Sequence, residues 1–121
     1  MEDSILTSVK KMLGIAEDYT EFDLDIIIHI NSVFMILAQI GIGPADGFMI
    51  QDKTTVWRDY IPSGKNLESV RSYMALKVRL IFDPPLSSSV TEAMKQNITE
   101  LEFRLNFQAE LNNGKEAKQN D

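Results

Sequence analysis

The sequence predicts a mainly all-α protein: a compact bundle of about four helices, with a long irregular loop or small hairpin between the second and third. Three observations carry this. Apolar residues recur every three or four positions in four separate stretches. Cap and stop residues bracket each of those stretches. The helical period is lost over residues 45–64, where turn residues and short β-type runs replace it.

The first stretch covers residues 4–13. Ile5, Val9, Met12 and Leu13 share one face, Asp3 or Ser4 can cap the start, and Gly14 can stop the end. An acidic run, Glu17-Asp18-Tyr19-Thr20-Glu21, then punctuates. Asp23 is placed to cap a second helix that runs to about Ile40, where Gly41-Ile42-Gly43-Pro44 ends it. This helix is very apolar, but Asp25, His29, Ser32 and Gln39 fall in one narrow sector, with Ile36 in the middle. A polar edge of that kind suits a helix buried on most sides better than a membrane span, so no membrane is expected as a partner. Ile36 would then be exposed and is a candidate contact with another chain.

Between residues 45 and 64, Phe48-Met49-Ile50 and Thr54-Thr55-Val56-Trp57 are β-type runs, and Asp46-Gly47 and Pro62-Ser63-Gly64 are turn signals. A connection of this length is commonly functional or mobile, which makes Phe48, Met49 and Trp57 candidate loop contacts, although Trp57, the one tryptophan, suits anchoring of the loop in the core at least as well. Asn66 can cap the third helix, Leu67–Phe82. Its two apolar stripes, Leu67/Val70/Met74/Val78/Ile81 and Tyr73/Leu76/Leu80, predict packing on two sides. Asp83-Pro84-Pro85 stops it. Ser89-Val90-Thr91-Glu92 fits a capping box that opens the fourth and longest helix, over residues 90–111. Val90, Met94, Ile98, Leu101 and Leu105 form its core stripe. Phe103, Phe107 and Leu111 form a second stripe, which either adds packing within the domain or is covered by another surface, a partner or a sister subunit. Residues 1–111 therefore read as one helical domain and residues 112–121 as a polar, flexible tail.

Composition excludes more than it proposes. The 121 residues contain no cysteine and one histidine, which rules out disulfides, thiol catalysis and cysteine-held zinc. Lys and Arg number 12 against 18 Asp and Glu, for a net charge of −6, which disfavours gripping a phosphate backbone. The acidic start does not resemble a secretory signal. The carboxylates Glu17, Asp18, Glu21, Asp23 and Asp25 lack the glycine turn of a calcium loop. The serines Ser87, Ser88 and Ser89 suit capping, and Gly41-Ile42-Gly43 lacks the rest of a phosphate-loop pattern. No catalytic, cofactor-binding or metal site is assigned, and no enzyme activity is expected.

One set of landmarks carries a resemblance. Val9-Lys10-Lys11-Met12-Leu13-Gly14-Ile15 precedes Asp23-Leu24-Asp25-Ile26-Ile27-Ile28 and Asn31. Trp57-Arg58-Asp59-Tyr60 then leads to a helix with Tyr73, Lys77, Val78 and Arg79. Phe82-Asp83-Pro84-Pro85 and Glu100-Leu101-Glu102-Phe103-Arg104-Leu105 close the series. In this order they resemble the small head–tail connector proteins of tailed phages, over most of the chain. The resemblance implies a mostly helical, non-enzymatic virion subunit, without cofactors, made in the host cytoplasm. It implies a homo-oligomeric ring of identical subunits, typically twelve, below the portal protein. Such a ring prolongs the channel through which genomic DNA passes without sequence-specific binding, and it docks a downstream head-completion or tail protein. A different class also fits the residues: a small helical adaptor or regulatory protein that binds one host or phage protein through the same apolar stripe.

Overall fold

The computed structural model describes the backbone of residues 4–119 and the side chains of residues 4–111. Five helices follow in order: α1 (Ile5–Met12), α2 (Asp23–Ile40), α3 (Trp57–Tyr60), α4 (Leu67–Phe82) and α5 (Ser88–Gln119). No strand occurs among the described residues. The expected flexible tail, residues 112–121, falls where side chains are not described, and its last two residues lie outside the described residues altogether.

α4 is the central helix and packs against both α2 and α5, while α1 closes one end against α2 and α4. The core joins Ile5 and Val9 of α1, Ile26, Ile30, Phe34 and Leu37 of α2, Val70, Met74 and Val78 of α4, and Leu105 of α5. Burial of such side chains contributes roughly 1.5–3 kcal/mol each and is what holds the helices together.

The stops act as their chemistry predicts. Gly41 sits at φ +103, a left-handed geometry that costs glycine little. Its N–H reaches the Ala38 carbonyl and the Ile42 N–H reaches the Leu37 carbonyl, which closes a Schellman turn with Ile42 tucked inward. α4 spans Leu67–Phe82 and ends at Asp83, before the two prolines.

The starts differ from expectation in three places. Asp23 does not cap α2: the cap position is Phe22, without a side-chain hydrogen bond, and the Asp23 carboxylate instead pairs with Lys10 at 2.8 Å. Asn66 occupies the cap of α4 in a left-handed conformation, φ +65, where its side chain does not reach the first-turn donors. α5 begins at Ser88, two residues before the expected start, because Ser87 and not Ser89 does the capping. The Ser87 Oγ accepts from the Val90 N–H at 3.4 Å, and its carbonyl accepts from the Thr91 N–H.

The interval 45–64 forms no hairpin. Its β-type residues are used singly, in an isolated antiparallel bridge between Val56 and Ser4, with the Ile5 N–H donating to the Thr55 carbonyl at 3.0 Å. α3 follows at once. Its first turn is secured by Asp59, whose carboxylate accepts from the Val56 N–H at 3.0 Å.

By length and composition α2 could cross a membrane. Here one face of it packs against α1, α4 and α5.

Candidate interaction surfaces

Two exposed apolar surfaces stand out, one on α5 and one on α2 with the following loop. On α5, Met94, Ile98, Leu105 and Ala109 turn into the core. Val90, expected in that stripe, is instead half exposed, because α4 has already ended at Phe82 and offers nothing to pack on there. The roll of α5 is fixed by a polar contact with α4. The Tyr73 hydroxyl donates to Glu102 Oε1 at 2.8 Å, and Lys77 Nζ lies 3.5 Å from the same oxygen. Burial, aided by the adjacent Glu102 carboxylate, holds the Tyr73 phenol above its ordinary pKa, so it stays a donor at neutral pH.

With Glu102 tied inward, the next residue points out. Phe103 is 72% exposed and Phe107 51%, and Leu111 continues the same line. Phe103 and Phe107 border a shallow cleft with Ser69 of α4. Arg104 lies between them and forms an exposed pair with Glu100 one turn earlier, at 2.5 Å. Such a pair contributes little by itself.

The second surface is a groove of about 620 Å³ between α2 and residues 45–49. Ile28 and Met35 of α2 form one wall, and Phe48 and Met49 form the other. Met35 is 65% exposed and Met49 72%, and Leu24 extends the same outer face of α2. Asn31 holds the walls together. Its Nδ2 donates to the Ile50 carbonyl at 3.0 Å, and its Oδ1 accepts from the Ile50 N–H at 2.8 Å. The side-chain amide therefore copies one rung of a β-ladder. Phe48 adds a second anchor, since its ring packs edge-on against Phe34 and beside Tyr60.

Asn31→Ala should cost about 2 kcal/mol, because it strips both hydrogen bonds from the backbone of a buried residue. Urea unfolding measures the loss. Faster amide exchange at Ile50 than at Val33 would place it in the groove wall.

The sequence-based candidates divide accordingly. Phe103, Phe107 and Leu111 are outward, as is Met49. Ile36 is half-buried and packs on the core, because the outer face of α2 is turned from the expected polar edge toward Leu24, Ile28 and Met35. His29 leans on the Phe82 ring, with centroids 6.4 Å apart. Phe48 is half-buried. Trp57 is buried, its indole N–H donating to Ser8 Oγ at 2.8 Å, so it anchors the loop to α1 and offers no outward contact. Sequence reasoning missed Ile28 and Met35. Their spacing of seven, on a face shared with Ser32 and Gln39, was the available signal.

Among the described residues, no group of three or more His, Asp or Glu side chains is placed to hold a metal ion. The surfaces are built for apolar contact.

The family described as phage connector protein matches residues 5–112. No curated protein and no solved structure matches the chain.

Proposed function

The chain belongs to the phage connector protein family, and from that premise we propose that it is a structural, non-enzymatic subunit of the phage neck. Copies of it form a ring, of about twelve by likeness to the family, beneath the portal protein at the head–tail interface of the virion. The ring prolongs the DNA channel and presents a docking surface to the next head-completion or tail protein. Subunits are made in the host cytoplasm and join the particle after folding.

The observation that carries this reading is the outward Phe103–Phe107–Leu111 line on a chain whose own core is already filled. Exposed aromatic residues in a row are what an assembly contact needs and what a lone soluble chain avoids. The net charge of −6 fits a conduit wall, which must let phosphates slide past without holding them.

Phe107→Asp places a charge in the middle of that line. It should lower association with portal-bearing heads at least tenfold and leave the melting temperature of the free subunit within a few degrees of wild type. Co-sedimentation with purified heads, alongside thermal melts, reads both quantities. Association at the wild-type level would remove the line from the assembly contact.

A further inference from the structure

The two apolar surfaces differ in shape and in charge, and they share no residue. One is a ridge and the other a groove. The ridge from Phe103 to Leu111 spans eight residues, or about 12 Å of helix, and the α2 wall from Ile28 to Met35 spans about 10 Å. Of the residues that line the groove, the one with a charge is Asp46. Of those that line the cleft beside the ridge, the one with a charge is Arg104, whose guanidinium pairs with the exposed Glu100 through one nitrogen and has further N–H donors to offer a second carboxylate. The two surfaces lie on different helices, and both stay exposed in the single subunit.

We propose that the occupant of the groove is the ridge of a second copy of this chain. Phe103 and Phe107 of one subunit lie against Ile28, Met35 and Met49 of the next, and Arg104 faces Asp46. The pairing rests on the neck-subunit reading for its setting, and it specifies how the copies meet. A ridge-to-ridge contact would set Arg104 against Arg104 and stop at a dimer. A ridge-to-groove contact is heterologous: each subunit keeps one free ridge and one free groove, so the arrangement propagates until it closes.

The chain has no cysteine, so single introduced thiols report contacts without background. M49C and F107C would be prepared separately, mixed in equal amounts with portal-bearing heads, and treated with a short bismaleimide. Covalent dimers should form in the mixture and not with either variant alone, and the double variant M49C/F107C should give a ladder beyond the dimer. Asp46→Arg and Arg104→Glu should each weaken association with heads about five- to tenfold, and the two together should restore most of it. The pairing is overturned if F107C links to itself and mixing adds nothing. It is also overturned if heads carry rings by electron microscopy yet no mixed dimer forms, an outcome that leaves the neck reading intact. If neither heads nor concentrated free protein yield mixed dimers and no rings are seen, both readings fail. Flotation of the chain with phospholipid vesicles, lost on Met35→Lys, would assign the α2 face to a membrane and overturn the pairing.

Discussion

Lys10→Ala should lower the folding free energy by about 3 kcal/mol, while Lys11→Ala, one residue along, should change it by less than about 0.5 kcal/mol. Lys11 is exposed, but Lys10 is 2% exposed and its ammonium is fully engaged. Nζ donates to the Tyr19 carbonyl at 2.7 Å and to the Glu17 carbonyl at 3.0 Å, and it lies 2.8 Å from Asp23 Oδ1. That carboxylate oxygen is buried and receives no hydrogen bond of good geometry among the described residues, so the lysine charge is what compensates it. Truncation leaves two carbonyls and a largely buried carboxylate without their cation, which is the expensive way to break an ion pair. Urea midpoints for the two alanine variants test the contrast. Adding Asp23→Leu to the Lys10 variant should recover part of the loss, the part due to the stranded charge. Equal midpoints for the two alanine variants would show that the connection between α1 and α2 holds without the lysine.

Gly43→Ala should be comparably severe, at about 3 kcal/mol or roughly 10 °C in melting temperature. Gly43 has φ +84, where an L side chain is strained. A Cβ there would also collide with the Tyr60 ring. Tyr60 cannot swing aside, because its ring is packed against Phe34 at 4.5 Å and its hydroxyl donates to the Ile42 carbonyl at 3.3 Å. Gly47→Ala is the informative control. It has a similar φ of +89 but open space around the new methyl, so it carries the backbone strain alone, about 1–2 kcal/mol. Thermal melts of the pair separate strain from collision. Equal losses would mean that Tyr60 yields freely and that the loop is softer than its packing implies.

Most of the fold was legible from local chemistry. Gly41 and Asp83-Pro84-Pro85 end α2 and α4 where a chain of those residues must end, and periodicity together with these stops placed both helices. What was not legible depended on partners distant in sequence. Asp23 has the side chain of a cap but is drawn off by Lys10. Asn31 belongs to no apolar stripe, yet it faces the loop because Ile50 offers it a donor and an acceptor. Lys10 has the pattern of any solvated lysine until the chain folds its carbonyls around it. The α5 line at Phe103, Phe107 and Leu111 was visible because it exceeded what one core could absorb. The groove was not, since it needs two segments that only the fold brings together.

The burial of Trp57 also gives the molecule an optical handle. It is the one tryptophan in the chain, and it sits where α1, the loop and α2 meet, with Arg71 over its ring at 5.9 Å and Phe34 edge-on at 6.3 Å. Its emission therefore reports the environment of a single junction. A shift to longer wavelength marks the moment water reaches the indole. Loosening of the loop from α1 can therefore be followed in unlabelled protein, in real time.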